Sequence, residues 1–285
     1  MNPTVAFSVV QQYHTDHGGT VRAVHTRPVI GLSAGFALLA VLARTAGLSA
    51  VGWAVGIVCV VIMNAILARA LAYHGAGVLG PAGRVTLTRA TLTCGVAALT
   101  ADSFWRPASV TTLLALTIVA LVLDAVDGWL ARRTRTVSAF GARFDMEVDA
   151  FLILVLSGYV ARSTGAWVLA IGAARYAFVV ARWLLPWLRA TVPPRYWGKV
   201  VAAILGIVLT VAAADVLPGY VVAAALVASL ALLAESFGRE VWWLWRHRPV
   251  EQRPAVTAAA QLRQPRVVRR GRATVEVRNG RPPGG

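Results

Sequence analysis

Eight apolar runs divide the chain, at 29–43, 48–68, 87–101, 108–128, 146–161, 166–188, 199–214 and 219–238. None alternates with period two over the length of a barrel strand, so the pattern predicts helices rather than strands. Several runs are shorter than the ~20 residues that a straight span needs. Amphipathic or cavity-lining ends are expected to make up the difference. Residues 69–86, between the second and third runs, are too many and too mixed for a simple turn, and they suit a short interfacial helix.

The two ends differ from the middle. Residues 1–27 are polar and carry His14, His17 and His25, which are spaced too loosely for a metal tract; a flexible tail is the better reading. Nothing there resembles a cleavable signal peptide. After about Trp245 the chain turns to proline and arginine, with eight arginines from Arg253 onward, and it is expected to be disordered and to touch anionic lipid.

Composition narrows the class. With 58% hydrophobic and 14% charged residues, the chain is no ordinary soluble domain but a polytopic membrane protein. In that setting the net charge of +16 reads as basic loops facing an anionic inner leaflet, not as a nucleic-acid surface. Arg22 and Arg27, then Arg69 and Arg84, then Arg132, Arg133, Arg135 and Arg143, then Arg189, Arg195 and Lys199 all fall in alternate connections. That alternation predicts eight spans with both termini in the cytoplasm; the expected location is a bacterial plasma membrane. Cys59 and Cys94 lie in separate apolar runs and read as packing residues.

The candidate chemistry lies between the fourth and fifth runs. Asp124 and Asp127 are three apart and share a face at the end of one helix; Asp145 and Asp149 are four apart and share a face at the start of the next. Antiparallel neighbours would bring both pairs to one depth near the cytoplasmic face. Four carboxylates there repel one another unless cations sit among them. Oxygen-only ligands favour Mg²⁺ or Mn²⁺, and a two-metal cluster suits phosphoryl chemistry. Gly128 and Ala131 follow Asp124 and Asp127 by one turn and leave the helix surface flat, so a bulky ligand can approach. Arg132 adds a cationic fork suited to phosphate, and Gly141 relieves crowding one turn before Asp145.

The string Asp124-x2-Asp127-Gly128-x2-Ala131-Arg132-x8-Gly141-x3-Asp145-x3-Asp149 fixes eight positions over 26 residues. It resembles, at every defined position, the signature of the CDP-alcohol phosphotransferase family. The resemblance implies an all-α fold with a six-helix catalytic core. Its expected organisation is a polar tail at 1–27, two extra N-terminal transmembrane helices at 28–69, the core at 70–240 and an Arg/Pro-rich cytoplasmic tail at 241–285. It also implies transfer of a substituted phosphate from a CDP-linked donor, commonly CDP-diacylglycerol, to an alcohol acceptor with release of CMP, as in phospholipid biosynthesis. By motif position, Asp124, Asp127, Asp145 and Asp149 hold the metals, and Asp149 is also the base on the acceptor hydroxyl. Gly128, Ala131, Arg132 and Ser138 contact the CDP moiety, with Gly141 beside them. Upstream, Thr86 and Arg89 match part of a second family stretch that also faces the nucleotide, but Ala82 and Gly83 stand where the family has Pro-Asn. A homodimer in the membrane is a further family expectation.

Arg175, Arg182 and Arg189 recur every seven residues and so line one face of the sixth run, with Lys199 opening the seventh. Arg175, Arg182 and Lys199 suit an acceptor pocket for an anionic headgroup. The alternative is that Arg175 satisfies a buried carboxylate while Arg182 extends to the interface. Two other function classes compete. A divalent-cation carrier needs acidic groups along a path at mid-membrane, not at one interface. Aromatic prenyltransferases bear two Asp-rich motifs far apart in sequence, and that reading leaves Gly128, Ala131, Arg132 and Gly141 unexplained.

Overall fold

The computed structural model describes residues 30–74, 81–134, 139–185 and 196–246. These form α1 Ile30–Thr45, then α2 Ala50–His74, α3 Pro81–Asp102, α4 Val110–Thr134, α5 Ala139–Thr164, a 3₁₀ turn at Ala166–Val168, α6 Leu169–Leu184, α7 Tyr196–Ala214 and α8 Gly219–Arg246. No strand occurs among the described residues. Among the described residues five helices are long and apolar enough to cross a membrane: those containing Ala50–Arg69, Val110–Trp129, Ala166–Leu184, Trp197–Ala214 and Gly219–Arg246. The chain is therefore an all-helical protein built as a polytopic membrane protein is.

The apolar runs understate several helices. The fifth run, 146–161, sits inside the 26 residues of α5, which measure about 39 Å along the axis. The third run, 87–101, sits inside α3, whose first turn opens on Pro81, where a missing N–H costs nothing. Polar residues extend α3 without breaking it because its threonines bond back one turn. Thr88, Thr91 and Thr93 donate to the carbonyls of Arg84, Leu87 and Arg89 at 3.1, 3.0 and 2.9 Å. The expected interfacial helix in 69–86 is instead the end of α2 and the start of α3, with 75–80 outside the described residues. At the other end α8 continues through Arg246, past the expected tail boundary at 241. Leu244 is buried there and Arg246 stacks on Trp242 at 4.7 Å, so packing carries the helix on. The polar head 1–27 and the tail from 247 lie outside the described residues.

α3 and α5 are the centre of the bundle. α3 packs on α2, α4 and α5; α5 packs also on α6 and α7, and α7 on α4 and α8. The shared core includes Leu99, Leu113, Leu152, Leu156, Leu205, Leu209 and Leu226. The hairpin α1–α2 is part of this body. Gly47, at φ 66°, ends α1 in the left-handed conformation that glycine tolerates, and its N–H reaches the Leu42 carbonyl at 3.1 Å. The Asp102 carboxylate at the end of α3 then accepts from the Ser49 N–H at 3.0 Å and from Arg106 Nε at 2.9 Å. Leu39 and Val60 close against Cys94 and Ala98. Further along α2, Met63 packs against Ala90, Phe144 and Val148.

α5 and α6 touch backbone to backbone. A Cβ on Gly172 would fall 2.5 Å from the Leu154 Cα, a fixed atom that no rotamer change can move. Gly172→Ala is expected to cost about 1–3 kcal/mol through forced separation of the helices. That corresponds to a fall of several degrees in the melting midpoint of detergent-solubilised protein, followed by size-exclusion chromatography after heating. An unchanged midpoint would show that the two helices part freely.

Candidate active site

Three helices supply the site. α4 runs toward the 135–138 connection and α5 away from it, so the Asp pairs meet at the same end of the bundle. They lie deeper than the first and last turns: Asp127 is about two turns before the end of α4, and Asp145 more than a turn and a half into α5. α3 lies against both helices and points Thr86 and Arg89, three apart on one face, at the carboxylates. The opposite end of the bundle carries the exposed Trp105 and Trp167.

Asp124, Asp145 and Asp149 converge. A carboxylate oxygen from each lies within 4.8 Å of the others. All three are partly exposed, at 38%, 31% and 30% of the side chain, so the cluster opens to a ligand from outside the bundle. Asp127 is separated from this group by its environment. It is 5% exposed and accepts from Thr86 Oγ1 at 2.5 Å, while its Oδ1 is buried with no hydrogen-bond partner among the described residues.

Arg89 ties the cluster together. At 1% exposure it is the largest fully buried side chain among the described residues. Its Nη1 lies 2.9 Å from Asp124 Oδ1 and also donates to Asp145 Oδ1, and its Nη2 donates to Asp149 Oδ1. One planar guanidinium thus bridges both halves of the aspartate motif, a task its fork geometry allows and a lysine ammonium does not match. Behind it, Ala90 packs on Phe144 and Val148, which fixes α3 against the turn of α5 that carries Asp145 and Asp149. The family resemblance implied nucleotide contacts for Thr86 and Arg89; in the structure both contact aspartates.

The remaining expected residues divide. Gly128 and Gly141 are half-buried on α4 and α5. Ala131 and Arg132 continue the helical backbone of α4, while Ser138 lies outside the described residues. Arg175 is half-buried and pairs with Glu147 at 2.6 Å, across α5 and α6. Arg182 is exposed in the last turn of α6, and Lys199 is exposed in the first turn of α7. Glu147 was not singled out from the sequence. The available signal was Glu147, an acid between Asp145 and Asp149 but off their helix face, and an arginine well inside the apolar span of the next helix, each of which needs a partner.

The donor set fits hard divalent cations. Among the described residues every converging group is a carboxylate oxygen, no thiolate or imidazole joins them, and the unpartnered Asp127 Oδ1 adds a further acceptor on the adjoining turn. Such a cluster can hold phosphate oxygens through its cations and leave a carboxylate to take a proton.

Comparison with known proteins points to the same chemistry. No curated protein and no solved structure matches the chain. The family model described as CDP-alcohol phosphatidyltransferase matches residues 82–234, a stretch that runs from the first turn of α3 into α8 and contains the whole aspartate cluster with Thr86 and Arg89. With more than half of its length covered by that match, the chain belongs to the CDP-alcohol phosphatidyltransferase family.

Proposed function

We propose that this protein transfers a phosphatidyl group from CDP-diacylglycerol to an alcohol acceptor, releasing CMP, as a step in phospholipid synthesis. The observation that carries the reading is the convergence of Asp124, Asp145 and Asp149 within 4.8 Å, drawn from both halves of the family motif. Asp124, Asp127, Asp145 and Asp149 would hold two Mg²⁺ or Mn²⁺ ions, which when bound offset the charge on the donor's phosphate oxygens.

The chain's own residues do the rest. The Asp149 carboxylate takes the proton from the acceptor hydroxyl. The acceptor oxygen forms a bond to the phosphorus that carries the diacylglycerol group. The bond from that phosphorus to the oxygen bridging it to the cytidylyl phosphate breaks, and its electron pair leaves with CMP. By motif position, Gly128, Ala131, Arg132, Ser138 and Gly141 would contact the CDP moiety. The partial exposure of the three converging aspartates supports entry of both substrates from the adjoining interface. The basic connections at that end support a cytoplasmic site. A homodimer in the membrane completes the reading, following the family.

The acceptor pocket draws on Arg175, Arg182 and Lys199. Its support is that, among the described residues, Arg175 is held by a single carboxylate, Glu147, which is itself 47% exposed, so an anionic headgroup can compete for the guanidinium. The test is a transfer assay on purified protein in mixed micelles, with CDP-diacylglycerol, Mn²⁺ and a panel of alcohols that includes phosphorylated polyols and neutral polyols. CMP and new lipid are expected in equal amounts with one acceptor class; no CMP with any alcohol overturns the donor assignment. With that acceptor, Arg175→Ala and Arg182→Ala are expected to raise its KM about ten-fold or more with little change in the donor KM, the loss of a charged contact. Equal effects on both substrates would remove these arginines from the pocket.

A further inference from the structure

The guanidinium of Arg89 lies where it must be reckoned with by any cation that enters the cluster. It contacts Asp124, Asp145 and Asp149, which are the three carboxylates that converge to ligand distance. The side chain is 1% exposed, and its Nε has no hydrogen-bond partner among the described residues, so its interactions run through the two terminal nitrogens into the aspartates. Four aspartates and one arginine leave the group with a formal charge of −3, close to neutral against either one or two divalent ions.

We infer that Arg89 is a built-in counter-ion that competes with the metal for its ligands and so sets how tightly the site binds metal before substrate arrives. The inference rests on the reading of these aspartates as the metal ligands. A fixed positive charge in contact with three ligands opposes a second cation at the same oxygens. To enter, the metal must draw Asp124, Asp145 and Asp149 away from the guanidinium or share them with it. The same contact keeps the carboxylates from repelling one another, so the helices hold their spacing when no cation is bound. Substrate tips the balance: the donor's diphosphate brings negative charge that offsets the arginine, so metal and CDP bind with positive coupling through Arg89. Arg89 is thus a positioning residue that acts through the aspartates and not on the reacting atoms.

The proposal is tested by Mn²⁺ titration of purified, chelator-treated full-length protein, with free Mn²⁺ followed by electron paramagnetic resonance, with and without CDP. Arg89→Gln is expected to bind Mn²⁺ at least about ten-fold more tightly than the wild type in the absence of CDP. The gain in affinity that CDP gives the wild type is expected to shrink in the variant. Its melting midpoint is expected to fall without metal and to recover on Mn²⁺ addition by more than the wild type's does. Arg89→Lys keeps the charge but is shorter and lacks the two-nitrogen fork that reaches all three carboxylates, so an intermediate affinity is expected. If Arg89→Gln does not fold, the lysine variant decides alone, tighter binding supporting the proposal. Mn²⁺ affinity equal to or weaker than the wild type's in a folded variant overturns it. Asp145→Asn separates the two readings. If it leaves Mn²⁺ binding intact, the metal assignment itself fails. If it abolishes binding while Arg89→Gln binds no more tightly, only the counter-ion proposal fails.

Discussion

Asp149→Asn is expected to reduce phosphatidyl transfer by about a thousand-fold or more, while the protein keeps its helical circular dichroism and its elution volume in detergent. Two losses combine. The amide cannot take the acceptor's proton, and general-base catalysis alone contributes roughly 10²–10⁴-fold. The amide is also a weaker ligand, and removing a carboxylate from a cluster that shares its cations weakens the hold on the donor's phosphate oxygens. The fold should survive because Asp149 stabilises the bundle chiefly through Arg89, which keeps Asp124 and Asp145 as partners. The packing of Val148 and Phe144 against Ala90 is untouched. Transfer at the wild-type rate would remove Asp149 from the base role. A variant that loses transfer together with its helical signal would say nothing in favour of that role and would instead make Asp149 structural.

Chelation is expected to have the second large effect. Removal of divalent cations with EDTA should take transfer to the background of a no-enzyme control, and addition of Mg²⁺ or Mn²⁺ should restore it. Zn²⁺, which prefers nitrogen and sulfur donors in four-coordinate sites, should restore little, because among the described residues the cluster offers carboxylate oxygens only. The loss should be reversible, since Arg89 holds three of the aspartates in place by itself. Full activity in excess chelator would contradict the metal-dependent reading. Irreversible loss would show that the metal, and not the guanidinium, keeps α3, α4 and α5 together.

Much of the site was legible because it is local. Asp124 and Asp127 share one helix, Asp145 and Asp149 the next, and the connection between them is short; three-apart and four-apart spacing fixes each pair to one face before any tertiary contact forms. The all-helical character and the long apolar helices followed from the absence of backbone partners in lipid, which leaves a helix as the way to satisfy every amide in a single segment. Helix ends were less legible. Hydropathy marks where a chain meets lipid, whereas α3 and α5 extend into turns whose polar residues face each other or bond back to their own backbone.

The sequence by itself determined which residues are chemically able: four aspartates at helical spacing, an arginine and a threonine upstream, and arginines seven apart on a later helix. The tertiary structure decided what each one faces. Arg89 is 35 residues from Asp124 and 60 from Asp149, and no periodicity relates them. It meets them because α3 packs against both α4 and α5. Thr86 faces Asp127 for the same reason, and Arg175 finds Glu147 because Gly172 lets α6 approach the α5 backbone. Spacing along a helix is set by the covalent chain, so it can be read in advance. The choice of partner across helices is set by which faces pack, and in a chain this apolar many faces pack almost equally well until small residues and buried charges choose among them.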